Sequence, residues 1–571
     1  MKHDRSIVFL KRRFAVLVAI LCIVLIALIA RMFYLTIFDR GFLQHQANIR
    51  ILRTVKVPAY RGMILSRNQV PLAMSIPVDS IWVNPRDFPK SNKAITNVAK
   101  ILSMRPQDFH RILHRNARQQ FVYVKRDADP KIGQAIRALS LPGIYLERQY
   151  HRYYPEGAVT AHLIGFTNVD DKGQEGLELV YNRWLRGVPG KRQVLKDRLG
   201  QIVGVVDTVK PAQPGHPLVL SINNRIQFLA YRALKETVQK YHAKSGSVVV
   251  LKPQTGEVLA MVNQPSFDPN KPHIPPYGRY RNRAVTDMYE PGSTMKAFSI
   301  ASALESGRYG PKTMINTSPG WFMVGRNEIR DELDNGVISV TQVLQKSSNV
   351  GVAKMILSLP EENLLNLLHR VGFGERTQSG FPGESPGIFP HRKKWHAFDV
   401  ATLAFGYGLS VTPLQLAHAY GIIANHGMAC PVTLLKRVKP VDCHRVMKTK
   451  IADAMLTMLQ AVLQPGGTGT RARIAGYTVA GKTGTAYIAG VHGYNKHHHI
   501  ASFIGVAPAS NPQLVILVMV RDPQGRVHFG GVIAAPAFAK IMSNALRILK
   551  IPPDELMVKK IKPVRPYPED D

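Results

Sequence analysis

The sequence predicts an α+β multidomain fold with a single N-terminal transmembrane helix. The length, the composition and one long apolar run support this prediction. At 571 residues the chain is long enough for about three or four domains, each with its own core. Its 45% hydrophobic and 20% charged residues are typical of a globular protein and exclude a wholly disordered one. After the apolar run at residues 14–30, β-rich stretches alternate with helical ones.

The formal net charge of the chain is +37. Such a charge suggests attraction to polyanions, namely nucleic acid, an anionic membrane surface, or phosphate-bearing cell-wall polymers and precursors. The basic residues are scattered through ordinary globular sequence, and no basic, aromatic-rich nucleic-acid module stands out. We therefore expect a membrane or cell-wall setting and no nucleic-acid partner, with a compositional bias of the source organism as the alternative.

The apolar run near the N-terminus predicts a membrane anchor. Residues 14–30 are all apolar and residues 32–38 extend the run past Arg31, so its length approaches the ~20 residues that a span needs. A cleaved signal peptide is the alternative, but the run is long for one and no clear A-x-A site follows it. Basic residues precede the run against Asp4 alone, and we expect them to keep the N-terminus in the cytoplasm: Lys2, Arg5, Lys11, Arg12 and Arg13.

Composition and turn signals divide the chain into segments. We predict a cytoplasmic tail (1–13), a transmembrane anchor (14–38), a helical or irregular stalk (39–56), a mixed domain (57–210), a linker with a connecting helix (211–244), a second, larger domain (245–548) and a proline-rich flexible tail (549–571). The linker helix should span about residues 226–241, and the larger domain should open with strands at 247–251 and 257–262. Everything after residue 38 should then be extracytoplasmic.

The stretch Glu-Pro-Gly-Ser-Thr-Met-Lys at residues 290–296 carries the first candidate catalytic residues. Ser293 and Lys296 face the same way only on a helix. The mostly apolar residues 295–304 predict a buried one that begins at or just before the serine and stops at Gly307. A serine hydroxyl needs a base within hydrogen-bond reach, which a charged lysine cannot be. The pKa of Lys296 must therefore fall from about 10.4 to about 7, which burial beside a second cation can achieve.

Alone, the Ser-x-x-Lys pair has a plain interpretation as a helix-capping serine followed by a solvated lysine, because the pattern recurs by chance. A second motif, Ser-Ser-Asn, places Ser347 and Asn349 downstream. Ser347 can pass a proton to a leaving amine, while Asn349 can hold Lys296 and the substrate amide in place. By proximity to Ser293, we assign Lys296 as the base.

A third motif begins at Lys482 and reads Lys-Thr-Gly-Thr. Lys482 is the expected second cation beside Lys296. Thr483 and Thr485 offer hydroxyls to a substrate carboxylate, and Gly484 belongs to the same substrate-binding stretch. The ordered triple of Ser-x-x-Lys, Ser-x-Asn and Lys-Thr-Gly resembles that of the penicillin-interacting acyl-transfer enzymes.

Two stretches imitate motifs of other enzymes. Residues 476–483 fit the G-x-x-x-x-G-K-[ST] pattern of a phosphate-binding loop. Such a loop opens a helix, whereas this one contains β-prone residues and continues extended at 485–488. Glu362 imitates the deacylating glutamate of class A β-lactamases, but residues 361–370 predict an ordinary surface helix. Without a positioned base for water, the acyl-enzyme should wait for an amine, which favours transfer over hydrolysis.

Histidines and cysteines give no clear metal or redox motif. Three histidines at 497–499 have no ligands around them at metal spacing, and we predict a solvated hairpin tip there. Cys22 lies in the apolar run, whereas Cys430 and Cys443 could either pair in an oxidising compartment or remain unpaired thiols. We expect no metal and no cofactor.

From about residue 57 to 545, the sequence resembles the class B penicillin-binding proteins, the monofunctional peptidoglycan D,D-transpeptidases. One departure is Ser66, where the family usually has aspartate, which removes a local salt bridge. The division-associated branch fits better than the elongation branch at the last two of the stretches that carry the resemblance. Those stretches are residues 61–68, 152–155, 162–166, 173–178, 404–417, 466–469 and 479–486.

The resemblance implies a non-catalytic pedestal domain of the dimerisation type at 57–210, and a transpeptidase domain with an antiparallel sheet flanked by helices at 245–548. It implies that Ser293 attacks the penultimate D-alanine carbonyl of a stem peptide, with an oxyanion hole made by the backbone N–H groups of Ser293 and Thr485. An amine on a neighbouring stem would then resolve the ester, and β-lactams should acylate the same serine.

The resemblance also implies partners and a location. The partners are peptidoglycan stem peptides, β-lactams, a membrane-embedded septal glycosyltransferase and other division proteins. The location is the bacterial inner membrane, with the catalytic domain in the periplasm. The alternatives are an elongation-type class B transpeptidase, a β-lactam sensor and a carboxypeptidase. A bifunctional synthase is disfavoured because residues 57–210 lack the glutamate motifs of a glycosyltransferase.

Overall fold

The computed structural model describes residues 3–196, 202–271, 277–490 and 493–555. Residues 1–2 of the predicted cytoplasmic tail and residues 556–571 of the predicted flexible tail lie outside the described residues. The chain forms two compact units, and it passes from one to the other more than once. The first unit comprises Met1–Tyr60, Pro77–Tyr150 and Gly187–Pro214, and the second comprises Arg61–Ile76, His151–Arg186 and Gly215–Asp571. The segment boundaries given above stay a prediction.

The elements before residue 220 are as follows. The helices are α1 (His3–Ile37), α2 (Arg40–Ile51), α3 (Asn92–Ile101), α4 (Pro106–Arg115), α5 (Pro130–Ala138), α6 (Ala161–Ile164), α7 (Gly176–Val180) and α8 (Asn182–Leu185). The strands are β1 (Leu52–Val57), β2 (Ile64–Leu65), β3 (Pro71–Val83), β4 (Val122–Ala128), β5 (Ile144–Tyr153), β6 (Gly190–Lys196), β7 (Ile202–Lys210) and β8 (Leu218–Val219).

Helix α1 contains the predicted membrane anchor. Within the described part of the chain, its segment Leu10–Ile37 is the one helical stretch long and apolar enough to cross a membrane, and none of it is buried against the protein. The predicted stalk at 39–56 begins as the helix α2 and then becomes strand β1 at Leu52.

The first unit combines a small sheet with three short helices. Strands β1, β6 and β7 form an antiparallel sheet in that order, and the end of β3 pairs with β4. Ser91 caps α3 by accepting a hydrogen bond from the backbone N–H of Ala94, at 3.3 Å. The apolar face of α3 then places Val98 in one core with Ile81 and Phe109.

The elements after residue 220 build the rest of the second unit. The helices are α9 (Asn224–Lys240), α10 (Arg283–Thr286), α11 (Lys296–Glu305), α12 (Val340–Lys346), α13 (Asn349–Leu357), α14 (Glu361–Arg370), α15 (Ala397–Ala404), α16 (Pro413–Ala424), α17 (Thr449–Ala461) and α18 (Gly530–Ile548). The strands are β9 (Ser245–Lys252), β10 (Glu257–Gln264), β11 (Met314–Asn316), β12 (Trp321–Val324), β13 (Asn327–Arg330), β14 (Val337–Ser339), β15 (Met428–Ala429), β16 (His444–Arg445), β17 (Ala480–Gly490), β18 (Gly493–Ala507) and β19 (Leu514–Arg521).

A five-stranded antiparallel sheet in the order β10-β9-β19-β18-β17 is the centre of the second unit. Helices α9 and α18 pack on each other and on the sheet, and so do α16 and α17. Strands β9 and β19 are buried along almost their whole length, which is why they are continuous apolar runs rather than alternating ones. The predicted antiparallel sheet flanked by helices is therefore confirmed, and the candidate motif at Lys482 lies on its edge strand, β17.

The structure decides several local predictions. The phosphate-loop imitation enters strand β17 at Ala480 instead of opening a helix, so the nucleotide-binding alternative is excluded. The surface helix at 361–370 is α14, with Leu364 and Leu367 on its buried face. The predicted hairpin tip at 497–499 is wrong, because these histidines lie within β18, where His499 is opposite Tyr487 of β17.

Cys430 and Cys443 form a disulfide, so the open alternative of two unpaired thiols is settled. The first residues of the predicted tail are attached to the second unit. Asp554 accepts hydrogen bonds from the backbone N–H of Thr478, at 2.8 Å, and from its hydroxyl. Its carboxylate also accepts from the hydroxyl of Ser510.

Candidate active site

Ser293 lies in a single helical turn in front of α11. The turn, Gly292–Met295, is a 3₁₀ helix, and α11 continues it from Lys296, so the predicted helical relation of the two residues is confirmed. The serine is half-buried, and its neighbours are buried. Gly292 has a positive φ of 54°, and a Cβ on it would lie 3.0 Å from the carbonyl oxygen of Thr485. Only glycine lets the turn that carries Ser293 approach β17 this closely.

Lys296 is fully buried and is held by the second motif. Its Nζ donates a hydrogen bond to Asn349 Oδ1 at 2.7 Å, another to the backbone carbonyl of Ser347, and lies 3.2 Å from Ser347 Oγ. Burial lowers the pKa of Lys296 to about 7, although the negative charges of Asp331 and Glu332 oppose the effect. A lysine with this pKa is partly neutral at neutral pH and can accept a proton.

Ser347 joins the two lysines of the predicted site. Its Oγ lies 2.9 Å from Lys482 Nζ as well as 3.2 Å from Lys296 Nζ. Burial and, second, the charge of Lys296 hold the pKa of Lys482 well below its ordinary range. The sequence predicted that burial beside a second cation would lower the pKa of Lys296. Burial does so, whereas the effect of the neighbouring cation falls on the pKa of Lys482.

The backbone of Ser347 is strained. The residue ends α12 in the left-handed region, with φ 61° and ψ 39°, a conformation that non-glycine residues adopt rarely and at a cost of about 1–3 kcal/mol. Its N–H bonds to the carbonyl groups of Leu344 and Val343. The left-handed conformation ends α12 at Ser347, so that α13 can begin at Asn349.

Asp331 is a site residue that the sequence reasoning missed. Its carboxylate accepts hydrogen bonds from the backbone N–H groups of Asn349 and Val350 and from the hydroxyl of Ser348. It thereby caps α13 and fixes the position of Asn349. The one signal in the sequence, an acidic stretch ahead of a helix, is equally typical of an exposed turn.

The third motif lies on β17, in register with β18. Lys482 is opposite Ile504, and Gly484 is opposite Ser502. A Cβ at Gly484 would lie 2.3 Å from Ser502 Oγ and 3.1 Å from the carbonyl oxygen of Pro291, so glycine is needed for the strand to pack against the turn that carries Ser293. The structure therefore brings the first and third motifs side by side.

The hydroxyl groups of the two threonines in this motif have different hydrogen-bond partners. Thr483 Oγ1 lies 2.7 Å from the hydroxyl of Thr468, a second residue that the sequence reasoning did not assign to the site. Thr485 Oγ1 accepts a hydrogen bond from the backbone N–H of Gly530, at 3.2 Å, the first residue of α18. The only available signal for Thr468 was its place in a glycine-rich stretch.

All eight predicted residues therefore lie on three neighbouring elements: the turn before α11, the junction of α12 and α13, and β17. Among the described residues, no group of three or more His, Cys, Asp or Glu side chains could hold a metal ion. The chemistry that the arrangement supports is acyl transfer, with a serine nucleophile, a buried lysine of lowered pKa and a serine hydroxyl that can relay protons.

Comparisons with known proteins agree with this geometry. Residues 246–543 match the family model described as the penicillin-binding protein transpeptidase domain, and residues 56–220 match the penicillin-binding protein dimerisation domain. The chain is 40% identical over 560 residues to the peptidoglycan D,D-transpeptidase FtsI of Escherichia coli K12, covering 96% of this chain and 94% of that protein. It is 39% identical over 544 residues to the probable peptidoglycan D,D-transpeptidase PbpC of Pseudomonas aeruginosa, covering 95% and 96%.

Solved structures are similar as well. The transpeptidase domain of penicillin-binding protein 3 from Burkholderia pseudomallei has 40% sequence identity and a TM-score of 0.54, and it covers 59% of this chain and 97% of its own. Penicillin-binding protein 3 from Mycobacterium tuberculosis, in complex with aztreonam, has 28% identity and a TM-score of 0.68, and covers 88% and 98%.

Proposed function

Because the chain belongs to the class B penicillin-binding proteins, which join a dimerisation domain to a transpeptidase domain, we propose that it cross-links peptidoglycan stem peptides at the division septum. The enzyme is an acyl-transfer D,D-transpeptidase. The observation that carries the proposal for its site is Ser347 Oγ, which lies within hydrogen-bond reach of both Lys296 Nζ and Lys482 Nζ.

In the first half-reaction, neutral Lys296 takes the hydroxyl proton of Ser293, and Oγ attacks the penultimate D-alanine carbonyl of the donor stem. The backbone N–H groups of Ser293 and Thr485 stabilise the oxyanion. The proton passes through Ser347 to the leaving nitrogen, the C–N bond breaks and terminal D-alanine departs. Lys482, Thr483 and Thr485 bind the carboxylate of the donor.

In the second half-reaction, an amine of the acceptor stem attacks the ester carbon of the acyl-enzyme. A new C–N bond forms, the C–Oγ bond breaks, and Ser293 regains a proton. Asn349 holds Lys296 in reach through its 2.7 Å hydrogen bond. β-Lactams present a reactive amide to the same serine and stop at the acyl-enzyme.

A single substitution tests the nucleophile. Ser293→Ala removes one oxygen, at a structural cost of about 1 kcal/mol, so we expect a folded protein that forms no penicilloyl adduct by intact-mass measurement. It should also make no cross-linked product from purified muropeptide donor and acceptor. The matched control is Ser306→Ala, an exposed serine at the end of the same helix, which should be acylated normally. An adduct on Ser293→Ala would place the nucleophile elsewhere.

The product assay also separates the alternatives. A carboxypeptidase would release D-alanine without a cross-link, and a β-lactam sensor would be acylated without any turnover. A transpeptidase forms the dimeric muropeptide in amounts that rise with acceptor concentration.

The same family membership supports a location and partners. We propose that α1 anchors the protein in the inner membrane, with the N-terminus in the cytoplasm and the catalytic domain in the periplasm. The disulfide between Cys430 and Cys443 supports an oxidising compartment. A reporter that is active only outside the cytoplasm, fused after Asp571, should be active.

The proposed partners are a membrane-embedded septal glycosyltransferase and other division proteins, because the sequence resembles the division-associated branch of the family and is 40% identical to the peptidoglycan D,D-transpeptidase FtsI of E. coli. Cross-linking in vivo followed by isolation of the full-length protein should recover them. Their recovery with an elongation complex instead would favour the elongation-type alternative.

A further inference from the structure

Glu290 lies three residues before Ser293, and no step described above uses it. Its side chain is half-buried. Oε1 accepts hydrogen bonds from the backbone N–H of Gly408 and from the hydroxyl of Tyr494, each at 2.8 Å. Oε2 is buried and has no hydrogen-bond partner among the residues that the structure describes. A carboxylate with one oxygen left unpaired is costly to keep beside a nucleophile unless a ligand completes it.

Tyrosine rings surround this carboxylate. Tyr407 and Tyr494 meet edge to face with 5.4 Å between ring centroids. Tyr407 also accepts a hydrogen bond, at 3.4 Å, from the backbone N–H of Tyr487 on β17. Tyr487 and Tyr494 are 40% and 49% exposed, so their rings are open to an incoming molecule. A carboxylate beside exposed aromatic faces is the combination that recognises an ammonium group, through charge and through cation–π attraction.

The position along β17 relates this cluster to the site. Lys482, Thr485 and Tyr487 follow one another along the strand, and Thr485 is the residue beside Gly292 in the nucleophile turn. Glu290, Tyr407 and Tyr494 therefore lie next to Ser293. They lie towards the C-terminal end of β17, whereas Lys482 lies towards its N-terminal end. The donor carboxylate is assigned to Lys482, so a positively charged group has the other side available.

We propose that Glu290, Tyr407 and Tyr494 form the subsite that receives the ammonium group of the acceptor stem peptide, a proposal that rests on the transpeptidase function given above. The ammonium takes the place of the hydroxyl of Tyr494, with one N–H donated to Oε1 and a second donated to the unpaired Oε2. One proton then passes from the ammonium to the Glu290 carboxylate. The free amine attacks the ester carbon, the C–Oγ bond breaks, and Ser293 Oγ takes the second amine proton. The products are a secondary amide, a serine hydroxyl and a protonated Glu290.

The electrostatics suit this role. Burial raises the pKa of Glu290 above its ordinary value, although the hydrogen bonds from Gly408 and Tyr494 oppose the rise. A raised pKa makes the carboxylate a stronger base than an exposed glutamate.

The test measures how one acyl-enzyme divides between two fates. The full-length protein is loaded with a muropeptide or thioester donor, and the ratio of aminolysis to hydrolysis is measured against the concentration of a stem-peptide acceptor. The ratio divides out any change in acylation. Glu290→Gln keeps the shape and the Gly408 bond but loses the charge, so we expect the ratio to fall at least about ten-fold and the acceptor KM to rise.

Two controls separate recognition from structural support. Tyr494→Phe removes the hydroxyl that competes with the ammonium for Oε1 but keeps the carboxylate and the ring, so its ratio should rise above that of the wild type. Hydroxylamine, which is uncharged at neutral pH, should be used equally well by Glu290→Gln and the wild type. An unchanged ratio in Glu290→Gln, or equal losses in both variants and with both amines, would overturn the proposal. If the wild type forms no acyl-enzyme at all, the proposed function itself fails.

Discussion

The second unit contains two buried clusters of basic side chains. The two clusters avoid an uncompensated positive charge in different ways. In one, Glu178 lies between Arg61 and Arg152, with Nε–O distances of 2.6 Å to each, and all three side chains are at most 1% exposed. In the other, Lys296 and Lys482 share the hydroxyl of Ser347, and no carboxylate forms an ion pair with either lysine within the described part of the chain. In the first cluster a carboxylate compensates the positive charges, whereas in the second cluster burial favours the neutral form of the lysines.

The side chains explain the difference. Arginine stays protonated in any protein environment, so a buried arginine needs a carboxylate and hydrogen-bond acceptors; Arg61 also donates to Asn182 Oδ1 at 2.8 Å. Lysine can lose its proton when buried. A permanently charged cluster can only support the fold, while a cluster that gives up a proton can do acid–base chemistry. The following predictions test this contrast, from the largest expected effect to the smallest.

The largest effect should follow from giving the second cluster a permanent charge. Lys296→Arg keeps a cation that cannot become a neutral base, so we expect the rate of penicillin acylation to fall by about 10²–10⁴. Lys482→Arg still donates hydrogen bonds to the substrate carboxylate and should cost less. Stopped-flow acylation with a fluorescent penicillin measures both rates. Small and equal losses would mean that the roles of the two lysines are assigned wrongly.

Breaking the first cluster should lower the stability of the protein instead of its acylation rate. Glu178→Gln leaves two buried arginines without a counter-charge. Breaking a buried ion pair in this way lowers the free energy of unfolding by about 3–5 kcal/mol. We expect a large fall in melting temperature. The control is Glu328→Gln, whose surface pair with Arg330 is about half exposed and should contribute about 0–1 kcal/mol. If Glu178→Gln melts like the wild type, the arginines have found other compensation.

Sequence reasoning could propose the chemistry because covalent catalysis restricts residue type and order. Ser293, Lys296, Ser347 and Lys482 were identifiable from three short motifs, and the alternation of β9 and β10 with a turn gave the start of the sheet. It could not reach contacts between distant loops. No local sequence pattern connects Asp331 with α13, the helix that it caps. Only the folded chain brings the two together.

The histidine prediction failed for a related reason. A run of polar residues between strands is typical of a hairpin tip, but His499 stacks on the ring of His528, with centroids 4.1 Å apart, and is largely buried. Packing against a residue 29 positions away (528 − 499) removed it from solvent. Tertiary packing overrode the local signal, as it did for the end of the stalk, where β1 forms by pairing with β6.

A smaller effect is expected from substituting Asp331, which supports the second cluster through Asn349. Asp331→Asn removes the charge that caps α13 and loosens Asn349, which holds Lys296. The loss of a charged cap is worth about 1–2 kcal/mol, which corresponds to roughly a ten-fold slower acylation if it acts through Asn349. Acylation rate and melting temperature should be measured together. A fall in melting temperature with an unchanged rate would make Asp331 purely structural.

The smallest effect should follow from removing the buried nitrogen of the second cluster altogether. Burial lowers the pKa of Lys296 in the folded protein to about 7, whereas the unfolded chain titrates near 10.4. Between these values the unfolded state binds the proton and the folded state does not, so this residue makes stability rise with pH. Below about pH 7 the folded protein carries the full cost of burying a charge, and above about pH 10.4 neither state is charged and the cost is gone.

Lys296→Met has no proton to bind and nearly the same length, so its contribution to this slope vanishes. Near pH 10 the variant should lie within about 1 kcal/mol of the wild type, because it loses only hydrogen bonds to Asn349 and Ser347. As the pH falls towards 7, the variant should become the more stable of the two, since it escapes the cost of a buried charge. Melting temperatures of both proteins across this range measure the difference. If Lys296→Met were strongly destabilised at every pH, Lys296 would be held as the arginines are, by compensated charge, and the contrast between the two clusters would be wrong.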